Sequence, residues 1–186
     1  MKIKEVLDKS TQFFREKGID TPRLDAEMLL ANALGVQRID LYLKFDQPLQ
    51  ESELNVCRAA VKRRAEGEPV AYITGTRDFY GHEFKVNSAV LIPRPETEHL
   101  VEQALIWLQA NHLVNRDIEL LDLGCGSGCI GISLLKALPN ATGFFVDQSI
   151  DALNVAKENA KKAWSLRAIC FLPFCGSTKA LGCPKI

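Results

Sequence analysis

One stretch, Glu119 to Asp147 (ELLDLGCGSGCIGISLLKALPNATGFFVD), constrains the fold more than any other. Leu120, Leu121 and Leu123 have the pattern of a buried strand, and it runs straight into Gly124-Cys125-Gly126-Ser127-Gly128. Ile130, Ile132, Leu134, Leu135 and Leu138 then supply the apolar positions of an amphipathic helix, which Pro139 and Asn140 break. Phe144-Phe145-Val146 predicts a second strand ending on Asp147. Strand, glycine turn, helix, strand and acid make up one βαβ unit of a nucleotide-binding sheet.

The chemistry of the turn accounts for its residues. Glycine reaches backbone conformations closed to other residues and leaves room for a ligand against the chain. The helix starting near Gly128 offers unpaired N–H groups and a partial positive charge, which suit a carboxylate or phosphate. Asp147, at the carboxyl end of its strand, is placed to accept hydrogen bonds from two ribose hydroxyls. The spacing is G-x-G-x-G, with Cys129 standing where a dehydrogenase has its third glycine. That counts against an NAD-dependent oxidoreductase. The bland alternative is a glycine turn that binds nothing. Cys125 reads as a small loop residue whose thiol pKa the nearby helix N-terminus lowers.

Composition narrows the class. Of 186 residues, 47% are apolar and 25% charged, as in a soluble globular protein. A net charge of zero argues against non-specific binding to nucleic acid or acidic membranes. No run approaches the roughly 18 apolar residues of a membrane span, and the N-terminus leads into a charged amphipathic helix, so a cytoplasmic location is expected. The six cysteines form no C-x-x-C pair and have no adjacent histidine, so no metal centre is expected. His82 falls in the hairpin, His99 in the first turns of a helix and His112 near that helix's end, so they do not make a catalytic set.

The first part of the chain reads as helical. Ile3, Val6, Leu7, Phe13 and Phe14 share one face, and Gly18 ends that segment. Thr21-Pro22 starts a helix that buries Leu24, Met28, Leu29, Leu30, Ala33 and Leu34 and stops at Gly35. Arg38 to Leu43 suggests a short helix. Another follows Pro48, carrying Leu54, Cys57 and Val61 with the basic Arg58, Lys62, Arg63 and Arg64. Those cations read as a solvated face, or alternatively as a grip on an acidic partner or RNA. Val70, Tyr72 and Ile73 predict a short extended run, and the residues flanking Gly81-His82 a β-hairpin. Pro93-Arg94-Pro95-Glu96-Thr97-Glu98 reads as a stiff helix start with acids in the first turn. Its other reading is a wall of the ligand pocket. After the amphipathic segment Ile150 to Ala160, Ile169 to Leu172 suggests a third strand stopped by Pro173.

Taken together, these segments resemble the release-factor glutamine N5-methyltransferases of bacteria and organelles. The resemblance runs to about Ala160. It is carried by RLDAEMLLANALG (Arg23 to Gly35), RRAEGEPVAYITG (Arg63 to Gly75), LIPRPETE (Leu91 to Glu98), the Gly124–Gly128 loop and VDQSIDALNVAKENA (Val146 to Ala160). It implies S-adenosylmethionine as cofactor and the glutamine of the Gly-Gly-Gln loop of peptide chain release factors as substrate. It also implies that Gly124, Cys125, Gly126, Ser127 and Gly128 face the methionine end of the cofactor and that Asp147 binds its ribose. Pro93, Arg94, Pro95 and Glu98 would stand close to the cofactor, and the helical front domain would help to hold the release factor. Neither direct nucleic-acid binding nor membrane attachment is implied. An adenine N6-methyltransferase of nucleic acid shares the cofactor logic but is disfavoured by the neutral charge and the front domain.

The family's Asn-Pro-Pro-Tyr motif, which positions the amide nitrogen for transfer, does not occur in this sequence, so no catalytic residue is assigned. Leu172-Pro173-Phe174 has a proline and an aromatic but no asparagine, and falls too early in the sheet to replace it. The expected architecture is α/β. A helical substrate-recognition domain (1–68) precedes a β-hairpin linker (69–95) and an incomplete Rossmann-like class I methyltransferase domain (96–186), native-like to about 163. Residues after about Ala163 are expected not to be family sequence, as after a frameshift or premature stop, leaving the first strand with an open apolar edge. The alternative function is an inactive fragment that keeps a release-factor-binding helical domain.

Overall fold

Proline at a helix start costs no hydrogen bond, and Pro22 opens α2 (Pro22–Leu34) at its first turn. Gly35, at φ 64°, closes it in the left-handed conformation. The structure, a computed structural model, describes residues 1–163 and 169–174. In it the chain divides into two compact units, Met1–Thr74 and Gly75–Ile186.

The first unit is helical: α1 (Ile3–Glu16), α2, α3 (Arg38–Leu43), α4 (Glu51–Ala65) and α5 (Val70–Thr74). Its core is built from Ile3, Leu7, Phe14, Leu29, Leu30, Leu41, Leu54 and Cys57. Phe13 and Leu24, expected inside, are exposed, because α1 and α2 turn Phe14 and Leu29–Leu30 inward instead. The extended run expected at Val70, Tyr72 and Ile73 is a helix. Pro69 fixes the first turn, and its carbonyl accepts from the Tyr72 and Ile73 amides at 3.0 and 3.2 Å, so turn formation overrides the β-branched residues.

Two acids are buried in this unit. Asp25 accepts from Arg64 at 2.7 Å. Glu27 is held by Arg23 at 2.9 Å, by Arg38 at 3.0 Å and by the Tyr42 hydroxyl. The basic residues of α4 are therefore not a free patch. Arg64 pairs with Asp25, Arg63 with Glu68 at 2.6 Å, Arg58 with Glu51 at 2.7 Å, and Lys62 approaches Glu66 at 3.9 Å.

The second unit begins with the expected hairpin, β1 (Thr76–Phe79) and β2 (His82–Lys85), in antiparallel register from Thr76↔Lys85 to Phe79↔His82. Tyr80 and Gly81 both have positive φ, as a two-residue turn matched to strand twist requires. Phe79 and Phe84 meet edge to face and lie in the main core with Val101, Ile132, Leu135 and Phe145. A 3₁₀ turn (Pro95–Thr97) leads into α6 (Glu98–Ala110).

Then come β3 (Glu119–Leu123), α7 (Cys129–Ala137), β4 (Thr142–Asp147), α8 (Ile150–Ala163) and β5 (Ile169–Pro173). The three strands form one parallel sheet in the order β3-β4-β5, with Phe144 between Leu121 and Cys170. The third strand is present, and Pro173 is its last residue. The other residues after Ala163 on which the expectation of non-family sequence rests, 164–168 and 175–186, lie outside the described part.

One expectation about β3 fails. Leu121 and Leu123 are 65% and 67% exposed rather than buried. Successive side chains alternate faces. α7 packs on the face carrying Leu120 and Asp122, where Asp122 meets the Gly131 amide. Leu121 and Leu123 point the other way. Among the described residues no strand pairs with the outer edge of β3.

Candidate functional site

The site grows out of the carboxyl ends of β3 and β4. Beyond the last ladder pair, the Gly124 and Cys125 amides both donate to the Val146 carbonyl, at 2.7 and 3.0 Å. The Gly128 amide donates to the Cys125 carbonyl at 2.8 Å and closes the turn, and Gly128 is the N-cap of α7. A side chain on Gly128 would start 2.9 Å from Ile132 Cδ1, and its φ of 76° is left-handed, so only glycine fits there. At Gly124 and Gly126 an added Cβ would meet nothing within 4 Å. The loop thus presents bare backbone to open space.

Asp147 joins the two strand ends. Its Oδ2 accepts from the Gly126 amide at 2.8 Å and its Oδ1 from the Ser149 amide at 2.9 Å. Each carboxylate oxygen has a second lone pair, so two hydrogen bonds leave capacity for further donors. In α7, the Gly131 amide is taken by Asp122 Oδ2 at 3.0 Å, and Ile132 begins the helical ladder to Gly128. Helix geometry leaves the Cys129 and Ile130 amides without a backbone acceptor at the positive end of the helix dipole, where both lie against the Cys129 sulfur. The arrangement can receive an anionic group at α7 and hydroxyl donors at Asp147.

The expectation that the helix N-terminus lowers the Cys125 thiol pKa is overturned. Burial, reinforced by the carboxylates of Asp122 and Asp147, pushes the Cys125 thiol up to about 12. Burial likewise raises Cys129. Burial, with the two acids adding to it, governs the Cys125 thiol. Burial also raises Asp122, against the pull of its bond from Gly131, and the charge on Asp147 raises it further.

The structure brings Gly124, Cys125, Gly126, Ser127, Gly128 and Asp147 together. It does not tie Pro93, Arg94, Pro95 or Glu98 to them. Pro93 is buried, Arg94 and Pro95 are exposed, and Glu98 opens α6, which packs on α7. The Arg94 carbonyl accepts from the Thr97 amide at 3.0 Å, a helix-start contact. Among the described residues the Arg94 and Glu98 side chains form no ion pair.

Three residues that shape the site escaped sequence reasoning. Asp122 is signalled by an acid inside the apolar run Leu-Leu-Asp-Leu. Gly131 is signalled by a glycine inside a helical pattern: a Cβ there would lie 2.6 Å from Phe145 Cε1 and 2.8 Å from Asp122 Oδ2, so its absence lets α7 lie close on the sheet. Asn159 is signalled by a polar side chain on the stripe of Ala152, Leu153 and Ala156 that α8 buries.

Comparison with known proteins fits this geometry. Residues 5–75 match the PrmC N-terminal domain, and residues 104–169 match the methyltransferase small domain. The release factor glutamine methyltransferase of Chlorobaculum tepidum is 49% identical over 159 residues, covering 85% of this chain and 54% of that protein. That of Geobacter sulfurreducens is 46% identical over 160 residues (86% and 54%), and that of Rhodopirellula baltica 44% over 159 (86% and 54%). The chain spans about half the length of these curated relatives. Across the span they share, with both domain matches in their order along the sequence, the chain belongs to the release factor glutamine methyltransferase family.

Proposed function

We propose that this chain is the cofactor-binding part of an S-adenosylmethionine-dependent protein methyltransferase whose substrate is the glutamine of the Gly-Gly-Gln loop in peptide chain release factors. The observation that carries the reading is the bond from the Gly126 amide to Asp147. It joins a bare glycine loop to a strand-end carboxylate at one end of a parallel sheet. The residues fit the cofactor: open space beside Gly124 and Gly126 admits a ligand against the backbone, and the acid keeps free lone pairs.

When bound, S-adenosylmethionine supplies an electrophilic methyl group on a sulfonium. The chain's own part is to bind and orient. The Cys129 and Ile130 amides would receive the amino-acid carboxylate, with the helix dipole in their favour. Asp147 would accept from the ribose hydroxyls, its direction fixed by Gly126 and Ser149. Gly124 to Gly128 would supply the floor on which the methionine end lies. Pro93, Arg94, Pro95 and Glu98 are assigned to the pocket wall on the strength of the LIPRPETE motif. The helical unit, Met1–Thr74, is assigned to holding the release factor, a substrate that puts the work in the cytoplasm.

A second reading rests on the absence of Asn-Pro-Pro-Tyr from the sequence. An amide nitrogen is a weak nucleophile and must be held in line with the methyl group by acceptors placed for that purpose. Without that motif the chain would bind the cofactor and transfer the methyl group poorly or not at all. Pro173 and Phe174 do not replace it, for they lie on the far side of β4 from the glycine loop. Incubation with methyl-labelled cofactor and a release factor separates the two readings. Label on the Gly-Gly-Gln glutamine supports the enzyme; cofactor binding without label supports the inactive form. Absence of cofactor binding contradicts both and leaves the inactive fragment that keeps only a release-factor-binding helical domain.

A further inference from the structure

Asn159 is 3% exposed, and its side chain makes three hydrogen bonds to backbone remote in sequence. Its Oδ1 accepts from the Lys85 amide at 2.7 Å, and its Nδ2 donates to the Lys85 carbonyl at 3.0 Å. The same Nδ2 donates to the Ser127 carbonyl at 2.9 Å. Lys85 ends the hairpin, Ser127 is in the glycine loop, and Asn159 belongs to α8. By taking both the N–H and the C=O of Lys85, the side chain does for β2 what a neighbouring strand would do. Its remaining proton goes to the loop. A carboxamide is the side chain that combines acceptor and two-proton donor in this way; a carboxylate lacks the donors.

The surroundings keep the hairpin on α8. Lys85 Nζ reaches Glu158 at 3.1 Å, and Lys162 Nζ reaches Glu83 at 2.5 Å. These pairs are exposed and orient more than they stabilise. The buried load falls on Asn159, since losing it strands the Ser127 carbonyl as well as the Lys85 groups. Ser127 itself is buried, between Gly126, which bonds to Asp147, and Gly128, which starts α7. The position of the loop backbone is therefore tied on one side to Asp147 and on the other, through Asn159, to the hairpin.

We propose that Asn159 is a positioning residue that couples the hairpin Thr76–Lys85 to the cofactor loop, so that occupancy of the loop stiffens the hairpin and a docked hairpin strengthens binding at the loop. This rests on the reading of the loop as an S-adenosylmethionine site. The coupling is reciprocal, as linkage requires.

Amide hydrogen exchange of the full chain, with and without S-adenosylmethionine, tests it. In the wild type the cofactor should slow exchange in Gly124–Cys129 and also at Lys85 and Val86. In Asn159→Ala the hairpin effect should vanish while loop protection persists, with cofactor affinity weakened about tenfold, as for one lost buried hydrogen bond. Asn159→Asp, which keeps the acceptor for the Lys85 amide and loses both donors, should also uncouple the hairpin and serves if the alanine variant fails to fold. Glu83→Ala, which removes only an exposed ion pair, should leave the coupling intact. Loop protection without any hairpin effect in the wild type overturns the coupling alone. So does a variant at 159 that lowers thermal stability yet still transmits protection to Lys85. No protection anywhere in the wild type overturns the cofactor reading, and this inference with it.

Discussion

The Gly126 amide donates to Oδ2 of Asp147 at 2.8 Å, and this single contact makes the turn after β3 and the acid after β4 one assembly. The other oxygen, Oδ1, faces the Ser149 amide. Both partners are donors. Asp147→Asn would turn its NH₂ toward one of them and leave a donor unsatisfied, at a cost of about 1–3 kcal/mol. Thermal unfolding should show the loss, and an asparagine variant as stable as the wild type would contradict the geometry.

Gly131 sets the distance between α7 and the sheet. Alanine in a helix interior ordinarily gains about 1 kcal/mol over glycine. Here its Cβ would lie 2.6 Å from the Phe145 ring and 2.8 Å from Asp122 Oδ2. Overpacking of that kind costs about 1–3 kcal/mol, so Gly131→Ala should lower the unfolding temperature. A rise would show that α7 has room to move away.

Glu27 links the stability of the helical unit to pH. Burial works against its charge, but hydrogen bonds from Tyr42, Arg23 and Arg38 outweigh it and hold its pKa below the ordinary 4.5. A carboxylate depressed in the folded state stabilises fully above its unfolded pKa, and the benefit is lost as pH falls through the folded value. Wild-type stability should therefore drop below about pH 4.5 more steeply than that of Glu27→Gln. At neutral pH the variant should be less stable by up to about 3 kcal/mol, since its arginine partners are half-exposed. Parallel slopes in acid-titrated denaturant melts would contradict this.

Cys125 should be inert. With its thiol pushed up from 9.0 to about 12, the thiolate fraction at neutral pH falls on the order of a thousand-fold. Iodoacetamide labelling followed by peptide mapping should leave Cys125 unmodified in the folded chain and modify it on unfolding. Rapid labelling in the folded state would contradict the assignment of burial and the two neighbouring acids as its governing influences.

Local signals were legible where one residue decides the outcome. Pro22 and Gly35 bound α2, Gly81 turns the hairpin, and the glycine loop with Asp147 emerges as read. Signals that depend on distant partners were not. Val70 to Ile73 has strand-forming residues, yet Pro69 and packing against α2 and α4 make it a helix. Leu121 and Leu123 carry a buried pattern, but burial depends on what covers that face of the sheet. Cys125 sits near a helix terminus, and only the fold shows that Asp122 and Asp147 stand beside it. Asn159 and Lys85 are separated by 74 positions, so no local pattern announces their bonds.

The central claim is that the Gly124–Gly128 turn and the carboxylate at 147 together receive S-adenosylmethionine. Isothermal titration of that cofactor into the wild type and into Asp147→Ala, with NAD as the control ligand, tests it most directly. Wild-type binding that NAD does not match is expected, with a loss of at least about tenfold in the variant, the scale of one charge-assisted hydrogen bond. Equal affinity of wild type and variant for S-adenosylmethionine would contradict it.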